Sequence, residues 1–333
     1  MGVRLSSLPG VYSLSTGQQI AKPVIHGLYG NRLGLITNGI RLPASAGATT
    51  MARPLIPLAS SQIRVIKGAG ALAYAGGNIG GKILVDPEVI PWEKGLHGNA
   101  IFFGESNGKL TGMHAGLFKR TKTFAWRIEN TLKRSGDRKA PDYFLRNTGT
   151  RKHTNVMEKS WSAQSASSLW LSSYNAKLGI LRGSHIGNTN DLEEAIGREI
   201  PFFTEDQFRS DIEAPFQQVH HHTLKVQHTI QSSPYTQVSG SLGLQLNRRR
   251  EYDLRRSGRS DIPALSLNQF SSFVELSWER RFIQTKTKLK SGLQYQLVNN
   301  SNLPETGILP LIPDYLSQQG SLYSVVSGGK MDV

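Results

Sequence analysis

From about residue 108 onward, apolar and polar positions alternate with a period of two. In "FAWRI", Phe124, Trp126 and Ile128 fall on one face, with Ala125 and Arg127 on the other. "TLKVQHTI" sets Leu224, Val226 and Ile230 against polar neighbours. "VSGSLGLQLN" places Val238, Leu242, Leu244 and Leu246 opposite Ser239, Ser241, Gln245 and Asn247. "KLKSGLQYQLVN" places Leu289, Leu293, Tyr295 and Leu297 opposite Lys288, Lys290, Gln294 and Gln296. These are half-buried strands, several of them roughly nine to eleven residues long, against a usual five or six.

The connections alternate in length. Short turns are expected near 121–124, at "SSPYT" (232–236) and at 280–284. Long polar segments are expected at 133–155, 180–219, 248–265 and 299–319. Short turns at one end and long loops at the other suit a transmembrane β-barrel, apolar outside and polar inside. An all-β soluble domain with decorated loops remains open at this point.

Composition narrows the chemistry. The 333 residues include no cysteine, which excludes disulfides, thiolate metal sites and a cysteine nucleophile. The formal charge of +15 invites nucleic acid, an anionic membrane surface or an anionic ligand. No run of about 18 apolar residues is present, so no transmembrane helix is expected. The N-terminus, "MGVRLSSLPGVYSLSTG", lacks the basic-then-apolar layout of a secretory signal.

The stretch "IRVIKGAGALAYAGGNIGGKILVD" (63–86) imitates a nucleotide site, with G-x-G-x-x-A from Gly68 and G-x-x-x-x-G-K ending at Lys82. A phosphate loop needs Ser or Thr after its Lys, and Ile83 stands there. A dinucleotide fold needs a helix directly after the glycine turn. Gly76, Gly77, Gly80 and Gly81 interrupt the only candidate, at about 1 kcal/mol per interior glycine.

Several ordered segments carry a family resemblance. "LPGVYSLSTG" (8–17), "PVIHGLYGNRLGLITNGIRL" (23–42) and the glycine-rich stretch (63–83) resemble successive parts of the plug domain of TonB-dependent outer-membrane receptors. "LGILRGSHIGNTNDL" (178–192), "APFQQVHHHTLK" (214–225), "RREYDLRRSGRSDIPALSL" (249–267) and "NLPETGILPLIPDY" (302–315) resemble barrel segments of the same receptors. The resemblance implies a mainly β fold: a plug domain at 1–95, then antiparallel strands of an incomplete transmembrane β-barrel at 96–333. It implies about 22 strands in a complete barrel, of which this chain has room for about ten. The chain is therefore expected to be a fragment, without signal peptide or energy-coupling box, and with both edge strands open. In the family, Arg usually stands at His26, Glu at Arg64 and Gly at Ala75, so plug stability or transport competence is in question.

The resemblance further implies an energy-coupled importer in the outer membrane of a Gram-negative bacterium, with no enzyme activity and no cofactor. The expected partners are the TonB energy-coupling protein, an anionic metal chelate as ligand, and outer-membrane lipid. Vitamin or oligosaccharide uptake, or a passive porin-like barrel, are the alternatives. Plug loops facing outward touch the ligand in the family, which points to Tyr29, Asn31, Arg32, Thr49, Thr50 and Met51. His220 and His222 alternate onto one strand face and are candidates for contact with a chelated metal near the outer rim, as is His185 in "GSHIGN". Neither is expected to be a resident metal site. Arg248 to Arg250, with Arg255, Arg256 and Arg259, fall in an expected outer loop and its strand ends, where guanidinium groups attract anionic oxygens. Their alternatives are a solvated face or contact with lipid phosphates. Nucleic acid is not expected, because Tyr252 alone provides little stacking.

Overall fold

The computed structural model describes residues 8–16, 20–43, 61–74, 78–162, 165–184, 188–254, 259–303 and 312–328. Two small sheets come first. Strands β1 (Val11–Thr16), β2 (Ile20–Ile25) and β3 (Leu28–Tyr29) form an antiparallel meander. Strands β4 (Gly34–Thr37), β5 (Ile40–Arg41), β6 (Ser61–Ile66) and β7 (Lys82–Pro87) form a mixed sheet in the order β5-β4-β7-β6. Val11, Ile25, Leu33, Leu35, Leu42, Ile83 and Val85 close between them as one apolar core. Asn38 and Gly39 both have positive φ, 49° and 74°, which makes the two-residue hairpin turn between β4 and β5.

The glycine-rich stretch is no nucleotide site. Gly68–Ala73 is a single 3-10 segment, and Lys82 and Ile83 lie inside β7 rather than in a loop. Arg64, where the family usually has Glu, pairs with Asp86 at 2.6 Å on an exposed face. The inverted charge therefore meets a carboxylate instead of a crowded interior. His26 adopts a positive φ of 47°, and Ala75 lies outside the described residues.

The rest of the chain is one large sheet. Its first three strands are β8 (Gly95–Glu105), β9 (Leu110–Arg120) and β10 (Phe124–Ser135). A loop carrying the short strands β11 (Arg138–Lys139) and β12 (Phe144–Leu145) leads to β13 (Thr150–Ser162) and β14 (Ser165–Gly179). A longer excursion holds the helix α1 (Thr189–Gly197) and β15 (Thr204–Glu205), which pairs with β12. The sheet resumes with β16 (Phe216–Ser233), β17 (Thr236–Tyr252), β18 (Leu265–Phe282), β19 (Thr287–Asn302) and β20 (Tyr315–Gly328). Ten strands pair antiparallel in the order β20-β19-β18-β17-β16-β14-β13-β10-β9-β8. Among the described residues the two edges do not meet, so the sheet is open.

The alternation read from the sequence sets the two faces. Val238, Leu242 and Leu246 are exposed on the outward face, and Gln245 and Arg249 are buried on the inward one. The strands are longer than expected, 11 to 18 residues, and they consume the ends of the expected loops. Arg248 to Arg250 therefore lie within β17 rather than in a loop. Barrel strands keep their backbone ladder beyond the apolar belt, where both faces turn polar and the sequence no longer advertises a strand.

Candidate functional site

The seam between the small sheets and the inward face is where the two parts of the chain meet. The Asn38-Gly39 turn places its hairpin against β16 to β20. Lys225 Nζ donates to the carbonyl of Asn38 at 2.7 Å. Gln245 Nε2 donates to the carbonyl of Arg41 at 2.9 Å, and Gln296 Nε2 reaches the same oxygen at 3.4 Å. The Arg41 guanidinium in turn donates to Gln319 Oε1 at 2.6 Å. Ile40, 2% exposed, rests on Gly243, where an added Cβ would lie 2.7 Å from its Cδ1. Glycine inside a strand often marks such a close approach.

The segment joining the two parts is tied to β9 and β10. Arg120 donates to the carbonyls of Pro91 and Ile90 at 2.7 and 2.9 Å. Arg127, nearly buried, donates to the carbonyl of Glu88 at 2.6 Å and forms an ion pair with Glu158. The seam is thus a short set of hydrogen bonds, each contributing about 0.5–1.5 kcal/mol net, around one apolar contact. Such an interface holds a domain in place and still allows it to be moved.

One lysine inside the small-sheet core has a strongly altered acidity. Burial, and secondarily the charge of Arg41, lower the Lys82 ammonium to about 8; its Nζ donates to Asn78 Oδ1 at 3.0 Å. The unfolded chain holds that proton up to about pH 10.4. Between these values the unfolded state binds more protons, so stability rises with pH across this window. We expect Lys82→Met to flatten the rise when unfolding is followed from pH 7.5 to 10.5, with the wild-type protein gaining at most on the order of 3 kcal/mol.

On the long-loop side, one arginine gathers four carboxylates. Arg146, 4% exposed, lies 2.8 Å from Glu213, 3.2 Å from Glu205, 3.6 Å from Asp137 and 3.8 Å from Asp211. Asn147 stitches the same loops, donating to the carbonyls of Pro215 and Ile180 and accepting from the Glu213 N–H at 3.0 Å. Burial raises the pKa of Asp137, which is fully buried; the N–H of Thr148 and the Arg146 charge oppose the shift.

The residues singled out from the sequence do not form one site. Tyr29, Asn31 and Arg32 surround the 3-10 turn Gly30–Arg32 and are exposed. That turn is held by the Asn78 side chain on the Asn31 carbonyl and by the Gly80 N–H on the Arg32 carbonyl. His220 and His222 do share a face, opposite Arg248 and Leu246, but it is the outward one. The two ring nitrogens of His220 are engaged by Asn175 at 2.6 Å and Gln218 at 3.1 Å. Of the triplet only His221 points inward, 1% exposed, beside Thr223. Arg249 also turns inward and pairs with Glu251 at 2.8 Å, while Arg248 and Arg250 turn outward. Arg259 is described and exposed; Thr49, Thr50, Met51, His185, Arg255 and Arg256 lie outside the described residues. Among the described residues no group of three His, Asp or Glu is arranged to hold a metal ion.

Sequence reasoning missed the seam residues Lys225, Gly243 and Gln245. Asn-Gly between "LIT" and "IRL", and a glycine in the middle of the alternating β17, were the available signals.

Comparison with known proteins places these features in a family context. Residues 3–82 match the model of the TonB-dependent receptor plug domain. A comparison of the sequence with curated proteins finds no match. Among solved structures, a ferric enterobactin receptor (PfeA) mutant from Pseudomonas aeruginosa superposes with a TM-score of 0.69 at 14% identity, covering 100% of this chain and 53% of the receptor. The ferric citrate transporter FecA in its unliganded form gives 0.64 at 14%, covering 99% and 51%. The copper transporter OprC gives 0.56 at 15%, covering 98% and 56%. The chain thus spans about half the length of the solved proteins it matches, and at these identities the likeness is one of fold.

Proposed function

We propose that the chain is the plug and first barrel half of an energy-coupled outer-membrane importer; the match of residues 3–82 to the TonB-dependent receptor plug model and the fold likeness to such receptors support this. The plug domain is assigned to 1–95 and the barrel half to 96–333, with the first barrel strand, β8, starting at Gly95. The open edges of β8 and β20 present unpaired backbone groups, which cost several kcal/mol each in hydrocarbon. The working barrel therefore closes by further strands. TonB on the inner side pulls on the plug and releases the seam at Asn38 to Arg41, opening a path for ligand. The single observation that carries this reading is the plug hairpin hydrogen-bonded to the inward face of an outward-apolar sheet.

The ligand is an anionic iron chelate, captured from outside with contributions from Tyr29, Asn31, Arg32, Thr49, Thr50, Met51, Arg255, Arg256 and Arg259. The charge of +15 supports an anion, and the named ligands of PfeA and FecA support iron. A receptor-deficient Gram-negative strain expressing the full-length protein should regain growth on ferric catecholates or ferric citrate as sole iron source. Growth restored on an oligosaccharide, a vitamin or copper, and on no iron chelate, would overturn the iron assignment.

A further inference from the structure

The hairpin that seats the plug on the wall turns on an Asn-Gly pair, Asn38-Gly39, and the chain holds one other such pair, Asn107-Gly108. Asn-Gly is a chemically labile sequence. Glycine has no side chain to shield its backbone nitrogen, which can close on the carboxamide of the preceding asparagine. At Asn38 the Gly39 nitrogen would bond to Cγ, and the Cγ–Nδ2 bond would break. Nδ2 leaves as ammonia, taking the proton from the Gly39 nitrogen. Water then adds to one carbonyl of the cyclic imide and reopens it. Opening at one carbonyl gives aspartate; opening at the other gives isoaspartate, whose main chain runs through the former side chain.

Two oxygens gain negative charge along this path. Loss of the Gly39 N–H proton spreads charge through the peptide bond onto the Asn38 carbonyl oxygen. Attack on Cγ then places charge on Asn38 Oδ1. One ammonium serves both: Lys225 Nζ donates to the Asn38 carbonyl at 2.7 Å and to Oδ1 at 3.4 Å. The same Nζ stands 3.3 Å from where a Gly39 Cβ would lie, so it caps the reacting peptide from one side. A cation already fixed where charge develops stabilises it with no reorganisation at the moment of reaction.

The turn also leaves the nucleophile available. Thr37 faces Ile40 across the hairpin, so the Gly39 N–H stands outside the ladder, and Gly39 is exposed. Asn107-Gly108 has the same two residues without this arrangement. Its carboxamide is pinned at both ends, Nδ2 donating to the Lys139 carbonyl at 2.9 Å and Oδ1 accepting from the Lys139 N–H at 2.7 Å. Gly108 is buried.

We propose that Lys225 promotes conversion of Asn38 to aspartate and isoaspartate in the folded protein, at the contact that seats the plug. The two products act in opposite directions. Aspartate sets a carboxylate beside Lys225 and turns a neutral contact into an ion pair between plug and wall. Isoaspartate adds a methylene to the main chain of a two-residue turn, which moves Thr37 out of register with Ile40 and lifts Ile40 off Gly243. The chemistry is independent of the importer reading; only its effect on uptake rests on it.

The test uses the full-length protein in isolated outer membranes, incubated at neutral pH in water labelled with heavy oxygen. Aspartate and isoaspartate at both pairs are then quantified by peptide mass spectrometry, the label marking residues formed through imide hydrolysis. Asn38 should convert faster than Asn107 in the folded protein, and the two rates should converge in the urea-unfolded chain. Lys225→Gln, which keeps a donor and removes the charge, should slow conversion at Asn38 roughly tenfold and leave Asn107 unchanged. Asn107 thereby reports whether the variant has kept its fold. Equal rates at the two pairs in the folded wild-type protein would overturn the proposal, as would an undiminished rate at Asn38 in Lys225→Gln. So would a peptide joining Asn38 to Lys225 with loss of ammonia and no label, which would make Lys225 the nucleophile. Ferric-chelate uptake should decline as isoaspartate accumulates; conversion with no decline would overturn the unseating of the plug.

Discussion

Replacing Arg146 by alanine is expected to open the long-loop clasp and to cost about 3–5 kcal/mol of local stability, the usual result of leaving a buried charge without its partner. Asp137 is fully buried and would lose its one ion-pair partner among the described residues. Glu213, Glu205 and Asp211 would be left to repel one another around the gap. The damage should also be pH-dependent. Burial already raises Asp137, and Arg146 is among the groups that hold it down. In the variant its folded pKa climbs further, so the folded state takes up a proton that the unfolded chain releases at about pH 4. Loop stability in the variant is therefore highest in acid and falls as pH rises through the raised value. Limited proteolysis within residues 180–215 should be rapid at pH 8 and slower at pH 5. A variant protected like wild type at pH 8 would mean that Arg146 contributes no net clasp energy.

Filling Gly243 is expected to unseat the plug hairpin while leaving the strands intact. A Cβ at this position meets Cδ1, Cγ1 and Cγ2 of Ile40 at 2.7, 2.8 and 3.0 Å. Ile40 is β-branched and buried, so it has little room to turn aside. Overpacking of this kind costs roughly 1–3 kcal/mol, comparable with the few seam hydrogen bonds that adjoin it. Gly243→Val should therefore displace Asn38 to Arg41 from Lys225 and Gln245. Its reading is a cysteine introduced at the buried neighbour Thr37, which leaves Ile40 in place, labelled by a membrane-impermeant thiol reagent, since the chain has no native cysteine. The specificity control is Gly243→Val combined with Ile40→Ala, which restores space and should restore iron uptake. If Gly243→Val alone imports iron normally, the contact at Ile40 does not hold the plug.

Most of the barrel was legible in the sequence because one physical rule generates it. Period-two alternation at Val238 to Leu246 and Leu289 to Leu297 fixed which side faces outward, and the structure keeps those faces. Strand ends were not legible. Residues such as Arg248 and Arg250 read as loop by polarity, yet the backbone ladder carries them to Tyr252. The plug was recognisable through ordered family segments, while its seam was hidden. Lys225 and Gln245 look like ordinary polar members of an alternating strand, and only the fold brings them to Asn38 and Arg41, some two hundred residues earlier. The histidine triplet shows the reverse case. Parity paired His220 with His222 on one face, and the flanking leucines at 224 and 246 already encoded that this face is the outward one.

The central claim is that a plug seated on the inner wall makes this an energy-coupled importer rather than a passive pore. The most direct measurement is the initial rate of radiolabelled ferric-chelate uptake by cells expressing the full-length protein, in matched strains with and without TonB. The account predicts saturable uptake that falls to background when TonB is removed, with surface binding of the chelate retained. Uptake that is non-saturable and unchanged without TonB would contradict it.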